Sequence, residues 1–321
     1  MPDIVKNGSQ IFLKVSGKWY YYDERQAPLG AGSMGVVYLG FSKDKNYPVA
    51  IKRVNDKYAN VPSIRERAKL EAKLQFRHQN LIEMIGYCEL NPTQGPLYIL
   101  SNYIHGKNID RYIRETFPPQ APNRAAKICQ LFYPVLDALT YIHSNQLVHM
   151  DIKPSNIIVE DGRNIRLLDL GIAHVGKKID IDSSASLMGT PKYAAPEQFD
   201  VNINTSLKPE TDIYAAGVTL YELLCGKNPY SANTISDSIT KHKNVILPYD
   251  SLIPKKLVDV LRTATNPNPA LRFKSASEFK QAIAQSLISR KSFNWVYVIV
   301  SVAIATLLIV IIVLLIYGQS N

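Results

Sequence analysis

The sequence predicts an α+β protein: a strand-rich N-terminal part, a helical C-terminal part and a closing apolar helix. Three observations carry this. Short β-branched and aromatic runs fill the first hundred or so residues, at 11–15, 19–22, 38–41, 48–54 and 97–104. Apolar residues at helical spacing take over at 125–145, in the segment opened by Asp212 and at 275–289. Finally, residues 295–317 are an uncharged, overwhelmingly apolar run of 23, which at ~1.5 Å per residue spans the hydrocarbon layer of a bilayer.

Composition narrows the classes. The chain has 321 residues and is 46% hydrophobic, which provides for a substantial core and argues against disorder. Lys+Arg of 37 against Asp+Glu of 27 gives +10. The basic residues are scattered and form no nucleic-acid motif, so no nucleic-acid partner is expected; handling phosphate near an anionic bilayer accounts for the sign as well. Cys88, Cys129 and Cys225 are odd in number and far apart, which fits reduced thiols and neither disulfides nor a zinc cluster. The first ten residues are polar, with no signal-peptide core.

Taken in order, residues 1–22 are a lead-in with two strand-like stretches. Residues 29–37 read LGAGSMGVV, with Gly30, Gly32 and Gly35. Such a motif alone fits a dinucleotide turn equally well. Here it runs into a strand, 38–41, and then a second one, PVAIKRV, carrying Lys52; glycines that close over phosphates and a lysine that neutralises them point to ATP. Residues 63–75 form a charged amphipathic helix, and residues 97–104 a buried strand running into a linker.

The stretch HMDIKPSN, His149 to Asn156, puts a carboxylate (Asp151), an ammonium (Lys153) and a carboxamide (Asn156) in one proline-containing turn. Two short strands, 157–159 and 165–168, follow around Asp161-Gly162 and lead to Asp169. Two acids near one lysine and one asparagine suit phosphoryl transfer, one acid orienting a hydroxyl while the other, with the amide, holds Mg2+ or Mn2+.

In this order the motifs resemble the eukaryotic-type serine/threonine protein kinase superfamily, and the terminal apolar run is similar to bacterial membrane-anchored members. The resemblance implies a two-lobed fold, N-lobe to about residue 103 and C-lobe after, with ATP as phosphoryl donor and Ser/Thr of proteins as acceptors. It implies catalytic roles for Asp151, Lys153, Asn156, Asp169 and Thr190, with Asn156 and Asp169 on the metal. The ATP site is expected from Leu29, Gly30, Ala31, Gly32, Ser33, Met34, Gly35, Val36, Val37, Ala50 and Lys52, with Asn102, Tyr103 and Ile104 as the hinge, Ser101 before the pocket behind it and Asn108 toward the ribose. Lys52 also calls for a glutamate partner. Counting back from His78-Gln79-Asn80 puts Lys69 at that place, so Glu66, three residues away and on roughly the same face, is preferred over Glu71.

Further along, His143 and His149 are expected to be structural, and Asp212 to hold the catalytic loop by its backbone. Glu197 of Ala195-Pro196-Glu197 should pair with Arg272. Met150 stands where many members have arginine, implying an enzyme that does not depend on loop phosphorylation through that contact. Leu170 replaces the usual phenylalanine, Ile172 hints at threonine preference, and Ser183, Ser184 and Ser186 are autophosphorylation candidates.

The expected organisation is a lead-in at 1–22, the kinase domain at 23–285, a basic juxtamembrane linker at 286–294, a transmembrane helix at 295–317 and a tail at 318–321. Arg290 and Lys291 precede the span and no charge follows it, which puts the domain on the cytoplasmic side and leaves no residues for an extracellular sensor. Trp295, Tyr297 and Tyr317 sit near the span's ends as interfacial anchors. Expected partners are protein substrates, the lipid bilayer through residues 295–317 and, through lateral pairing, a second copy in a homodimer. The alternative reading is a membrane-bound pseudokinase scaffold.

Overall fold

The computed structural model describes residues 3–32, 34–74, 76–169, 173–174, 191–199, 208–288 and 295–318. They divide into two units, Met1–Leu287 and Ile288–Asn321. The first unit opens with the strands β1 (Ile4–Asn7), β2 (Gln10–Val15), β3 (Lys18–Asp23), β4 (Gly30–Gly32), β5 (Gly35–Ser42) and β6 (Pro48–Val54). Helices α1 (Asp56–Ala59) and α2 (Pro62–Lys73) and strands β7 (Met84–Glu89) and β8 (Leu97–Asn102) complete this lobe. The strands form one antiparallel sheet ordered β1-β2-β3-β5-β6-β8-β7, with β4 on β5.

Alternation builds it. Ile11, Leu13 and Val15 of β2 and Tyr20 and Tyr22 of β3 turn inward onto Val49, Ile51, Tyr98 and Leu100, while Phe12 and Tyr21 face the other way. The sheet curls until β2 meets β7. There Gly86 has a φ of +142°, and a Cβ on it would lie 2.7 Å from Val15 Cγ1, so glycine lets the strands approach. The Asp3 carbonyl accepts from the Lys14 N–H (2.8 Å) and from Cys88 Sγ (3.4 Å). The segment before Asp23, read from the sequence as a lead-in, is therefore part of the sheet that carries Lys52.

The second lobe runs through β9 (Gly106–Asn108), α3 (Ile109–Thr116), α4 (Arg124–Ser144), β10 (Leu147–Val148), β11 (Ile157–Glu160), β12 (Asn164–Leu167) and β13 (Ala173–His174). It closes with α5 (Pro209–Cys225), α6 (Ile235–Asn244), α7 (Lys255–Ala264) and α8 (Ala276–Leu287). Its core centres on α4 and α5, whose Ile128, Phe132, Leu139, Ile213, Val218 and Leu224 are fully buried. The α5 helix is apolar nearly all round, as a helix enclosed by neighbours must be, and stops at Gly226 in the left-handed conformation (φ +76°). All three cysteines are buried and unpaired.

The second unit contains α9 (Trp295–Gly318). Its described side chains, 299–311, are exposed. Counting only residues whose side chains are described, which in α9 are 299–311, no helix is long and apolar enough to cross a membrane.

Candidate active site

The turn between β10 and β11 is held from beneath by one carboxylate. Asp212, fully buried in the first turn of α5, accepts from the His149 N–H (2.7 Å), the Met150 N–H (2.8 Å) and His143 Nε2 (2.8 Å). Burial alone would raise its carboxyl, but the His143 and His149 hydrogen bonds hold it below the usual carboxylate range. That grip fixes Met150 at a φ of +74°, a conformation that non-glycine residues rarely adopt. Thr219 adds a hydroxyl bond to the Ile152 carbonyl (3.1 Å).

Above this base the polar side chains converge. Asp151 Oδ2 accepts from Lys153 Nζ (2.6 Å) and Asn156 Nδ2 (3.0 Å), and Asn156 Nδ2 also reaches the Asp151 carbonyl (2.9 Å). Asn156 thus spends its nitrogen on the loop, and Oδ1 is the atom it offers a cation. His149 is fully buried, its Nε2 donating to the Leu168 carbonyl (3.1 Å) and its Nδ1 accepting from the Asp151 N–H (3.3 Å). It therefore ties the loop of one acid to the strand end of the other. Burial keeps it below the usual imidazole range, hence neutral and structural, as the sequence suggested.

The chain leaving β12 delivers Asp169 at a φ of +45°, with Oδ1 2.9 Å from Lys52 Nζ. The two residues are 117 positions apart in the chain and come from different lobes. Burial disfavours the Lys52 charge, yet the charges of Asp169 and then Glu71 raise its pKa above the usual lysine range. Conversely, burial opposes the Asp169 charge, but Lys52 and then Lys153 pull its carboxyl below the ordinary value. A carboxylate and an ammonium thus coexist, both ionised, within a hydrogen bond of each other.

The glutamate partner is corrected. Glu66 has a side chain 70% exposed and bonds Lys69 (3.1 Å). Glu71 is buried, and its charge acts on Lys52. The reason is the helix face: Ile64, Ala68, Glu71 and Ala72 recur at the three- and four-residue spacing that turns α2 toward the sheet. Lys69, the residue counting had chosen, turns instead toward Glu89 (3.1 Å), which also binds the buried Arg65 (2.8 Å).

The glycine stretch forms the β4–β5 hairpin. Gly30 pairs with Val37, Ala31 with Val36 and Gly32 with Gly35, and the Leu29 N–H bonds the Val37 carbonyl (2.8 Å). A Cβ on Gly35 would stand 2.2 Å from the Arg53 carbonyl oxygen, so only glycine fits where β5 crosses β6; Gly30 and Gly32 have open space instead. The Met34 carbonyl accepts from the Asn55 N–H (2.9 Å), and Val37 faces Lys52 in register. Ala50 pairs with Ser101, at the strand end leading to Asn102, Tyr103 and Ile104. Asn102 is moored by its N–H to the Glu83 carbonyl (3.0 Å) and by Nδ2 to the Glu83 carboxylate (2.9 Å). Asn108 ends β9 at the start of α3. Ser33, Leu170, Gly171, Ile172, Ser183, Ser184, Ser186 and Thr190 lie outside the described residues.

Behind the site Arg272, 3% exposed, grips Glu197 with two bonds of 2.7 and 2.8 Å, the ion pair expected from the sequence. Among the described residues no three His, Cys, Asp or Glu form a metal cluster. An oxygen pair such as Asn156 and Asp169 suits magnesium, which takes one or two protein oxygens alongside substrate phosphates.

Residues 23–287 match the protein kinase domain, and the chain belongs to that family. Serine/threonine-protein kinase PrkC of Bacillus subtilis is 29% identical over 276 residues, 83% of this chain and 41% of PrkC. PknL of Mycobacterium tuberculosis is 28% identical over 270 residues, 82% of this chain and 65% of PknL. PknH of Mycobacterium bovis is 30% identical over 265 residues, 81% of this chain and 43% of PknH. The chain thus spans 41% to 65% of the length of these relatives. The solved kinase domain of M. tuberculosis PknI shares the fold, with a TM-score of 0.62 at 23% identity over 89% of this chain and 98% of that one.

Proposed function

We propose that the chain transfers the γ-phosphoryl group of ATP to serine or threonine hydroxyls of proteins. The observation carrying this is the meeting of Lys52 and Asp169 across the two lobes, 2.9 Å apart and beside Asp151, Lys153 and Asn156. Asp151 orients the acceptor hydroxyl and takes its proton as the new P–O bond forms and the bond to the β-phosphate oxygen breaks. Lys153 balances charge on the moving group, and Lys52 receives the α- and β-phosphates under the Gly30–Gly35 hairpin, with Leu29, Val37 and Ala50 toward the adenine and Asn102 to Ile104 as hinge. Asn156 and Asp169 hold the divalent ion, which when bound neutralises phosphate charge. Glu71, not Glu66, is the partner of Lys52. The pseudokinase alternative drew on the uncertain choice of that glutamate, and the charge of Glu71 acting on Lys52 favours the active reading.

Incubation with γ-labelled ATP, magnesium and dephosphorylated casein tests the reading. Wild type should label casein and Asp151→Asn should be slower by about a hundredfold or more; equal labelling would refute the assignment.

Membrane attachment through α9 belongs to the same reading. Its 24 residues include no charged one, and at ~1.5 Å each they reach ~36 Å against a hydrocarbon layer of ~30 Å. Arg290 and Lys291 on the kinase side favour a cytoplasmic domain. Full-length protein should stay with membranes in alkaline carbonate; release into the supernatant would contradict the anchor.

A further inference from the structure

A buried imidazole links α6 to the segment that leads into Ala195-Pro196-Glu197. His242, fully buried near the end of α6, has Nε2 2.8 Å from the Pro191 carbonyl oxygen and Nδ1 2.7 Å from the Tyr214 hydroxyl. A carbonyl only accepts, so Nε2 carries the proton and Nδ1 accepts from Tyr214. The ring stacks on Tyr230 with centroids 4.2 Å apart, and burial drops its pKa to about 4, so it is neutral at pH 7. Tyr214 in turn lies under the Arg272 guanidinium (4.7 Å), the same group that grips Glu197. The next carbonyl is held as well, Lys192 accepting from Asn228 Nδ2 (3.1 Å) while that amide also binds Glu222 (3.0 Å).

Two consecutive carbonyls, those of Pro191 and Lys192, are thus fixed by side chains from α6 and from the turn after α5. A phenyl ring would fill the space of His242 equally well. What it would lack is the N–H aimed at Pro191. The stretch leads into Gln198, whose Nε2 donates to the Met150 carbonyl (3.4 Å) next to Asp151, so it borders the place where the acceptor hydroxyl would sit.

We propose that His242 is a positioning residue for the protein acceptor: its N–H sets the path of Pro191 and Lys192 and so the affinity for the polypeptide being phosphorylated, leaving ATP binding untouched. The proposal rests on the kinase reading above. Its chemistry is a neutral donor buried behind the acceptor surface, remote from the transferring phosphoryl group, so its effect belongs in KM for the acceptor.

The test uses the full chain with ATP, magnesium and dephosphorylated casein, comparing wild type, His242→Phe, His242→Gln and Tyr214→Phe, with thermal melting of each. His242→Phe should raise KM for casein about tenfold, the effect of one lost buried hydrogen bond, with KM for ATP within about twofold. Glutamine restores a donor at similar reach and should recover most of the loss. Tyr214→Phe removes the hydroxyl that fixes the tautomer and should raise KM for casein in the same direction; it decides the matter should His242→Phe not fold. Labelled casein with an unchanged KM in both aromatic variants, or KM for ATP and casein rising together, would overturn the role of His242 alone. Casein left unlabelled by wild type would overturn the kinase reading and this inference with it.

Discussion

Glu71 supplies the second negative charge beside Lys52, and its neighbour in sequence space, Glu66, does not. Replacing Glu71 by glutamine should lower kcat/KM for ATP-dependent transfer by about tenfold or more, since a charge interaction worth one pKa unit is ~1.4 kcal/mol, a factor of ten. Glu66→Gln should stay within about twofold, because exposed pairs contribute ~0–1 kcal/mol. Parallel steady-state kinetics check both, and a larger loss in Glu66→Gln would reverse the assignment. Asp169→Ala should cost orders of magnitude, ~10² or more, by removing the proposed metal ligand and the partner of Lys52. The identities of Lys52, Asp151, Asn156 and Asp169 were readable because each sits in a short motif whose chemistry is local. Glu71 was not, because the helix face that meets the sheet is decided by Ile64, Ala68 and Ala72 packing on strands far along the chain.

Strands β1–β3 show the same division at the level of elements. Alternation in residues 11–15 and 19–22 made the strands legible, but nothing local indicates that β2 ends against β7, some seventy residues later in the chain. The expected consequence is structural: Leu13→Ala, at a fully buried position, should destabilise the unit by ~2–5 kcal/mol in urea unfolding, and a change below about 0.5 kcal/mol would mean that the hairpin does not pack as described. The catalytic turn, by contrast, was nearly complete in the sequence, and Asp212 fastens it as anticipated. Met150 presents a thioether where an arginine would need a phosphate, and its carbonyl accepts from Gln198 Nε2 (3.4 Å). Phosphatase-treated protein should therefore keep most of its initial transfer rate; complete loss would show dependence on a phosphorylated segment.

For the whole molecule, buried histidines set the response to acid. His242 falls from 6.5 to about 4 through burial, and His149 shifts in the same direction. Below pH 6.5 the unfolded chain binds protons that the folded one refuses, so stability is full above that value and declines toward pH 4. From His242 alone the loss at pH 5 is ~2 kcal/mol. Urea midpoints at pH 7 and pH 5 measure it, and an unchanged midpoint would contradict the burial of these rings. The fold and the catalytic residues bear on one reaction, and mapping phosphosites after incubation of the full chain with ATP, magnesium and dephosphorylated casein tests it most directly. The expected result is phosphoserine or phosphothreonine on casein or on the chain itself in wild type, absent from Asp169→Ala; equal occupancy in the two proteins, or no phosphosite in wild type, would contradict it.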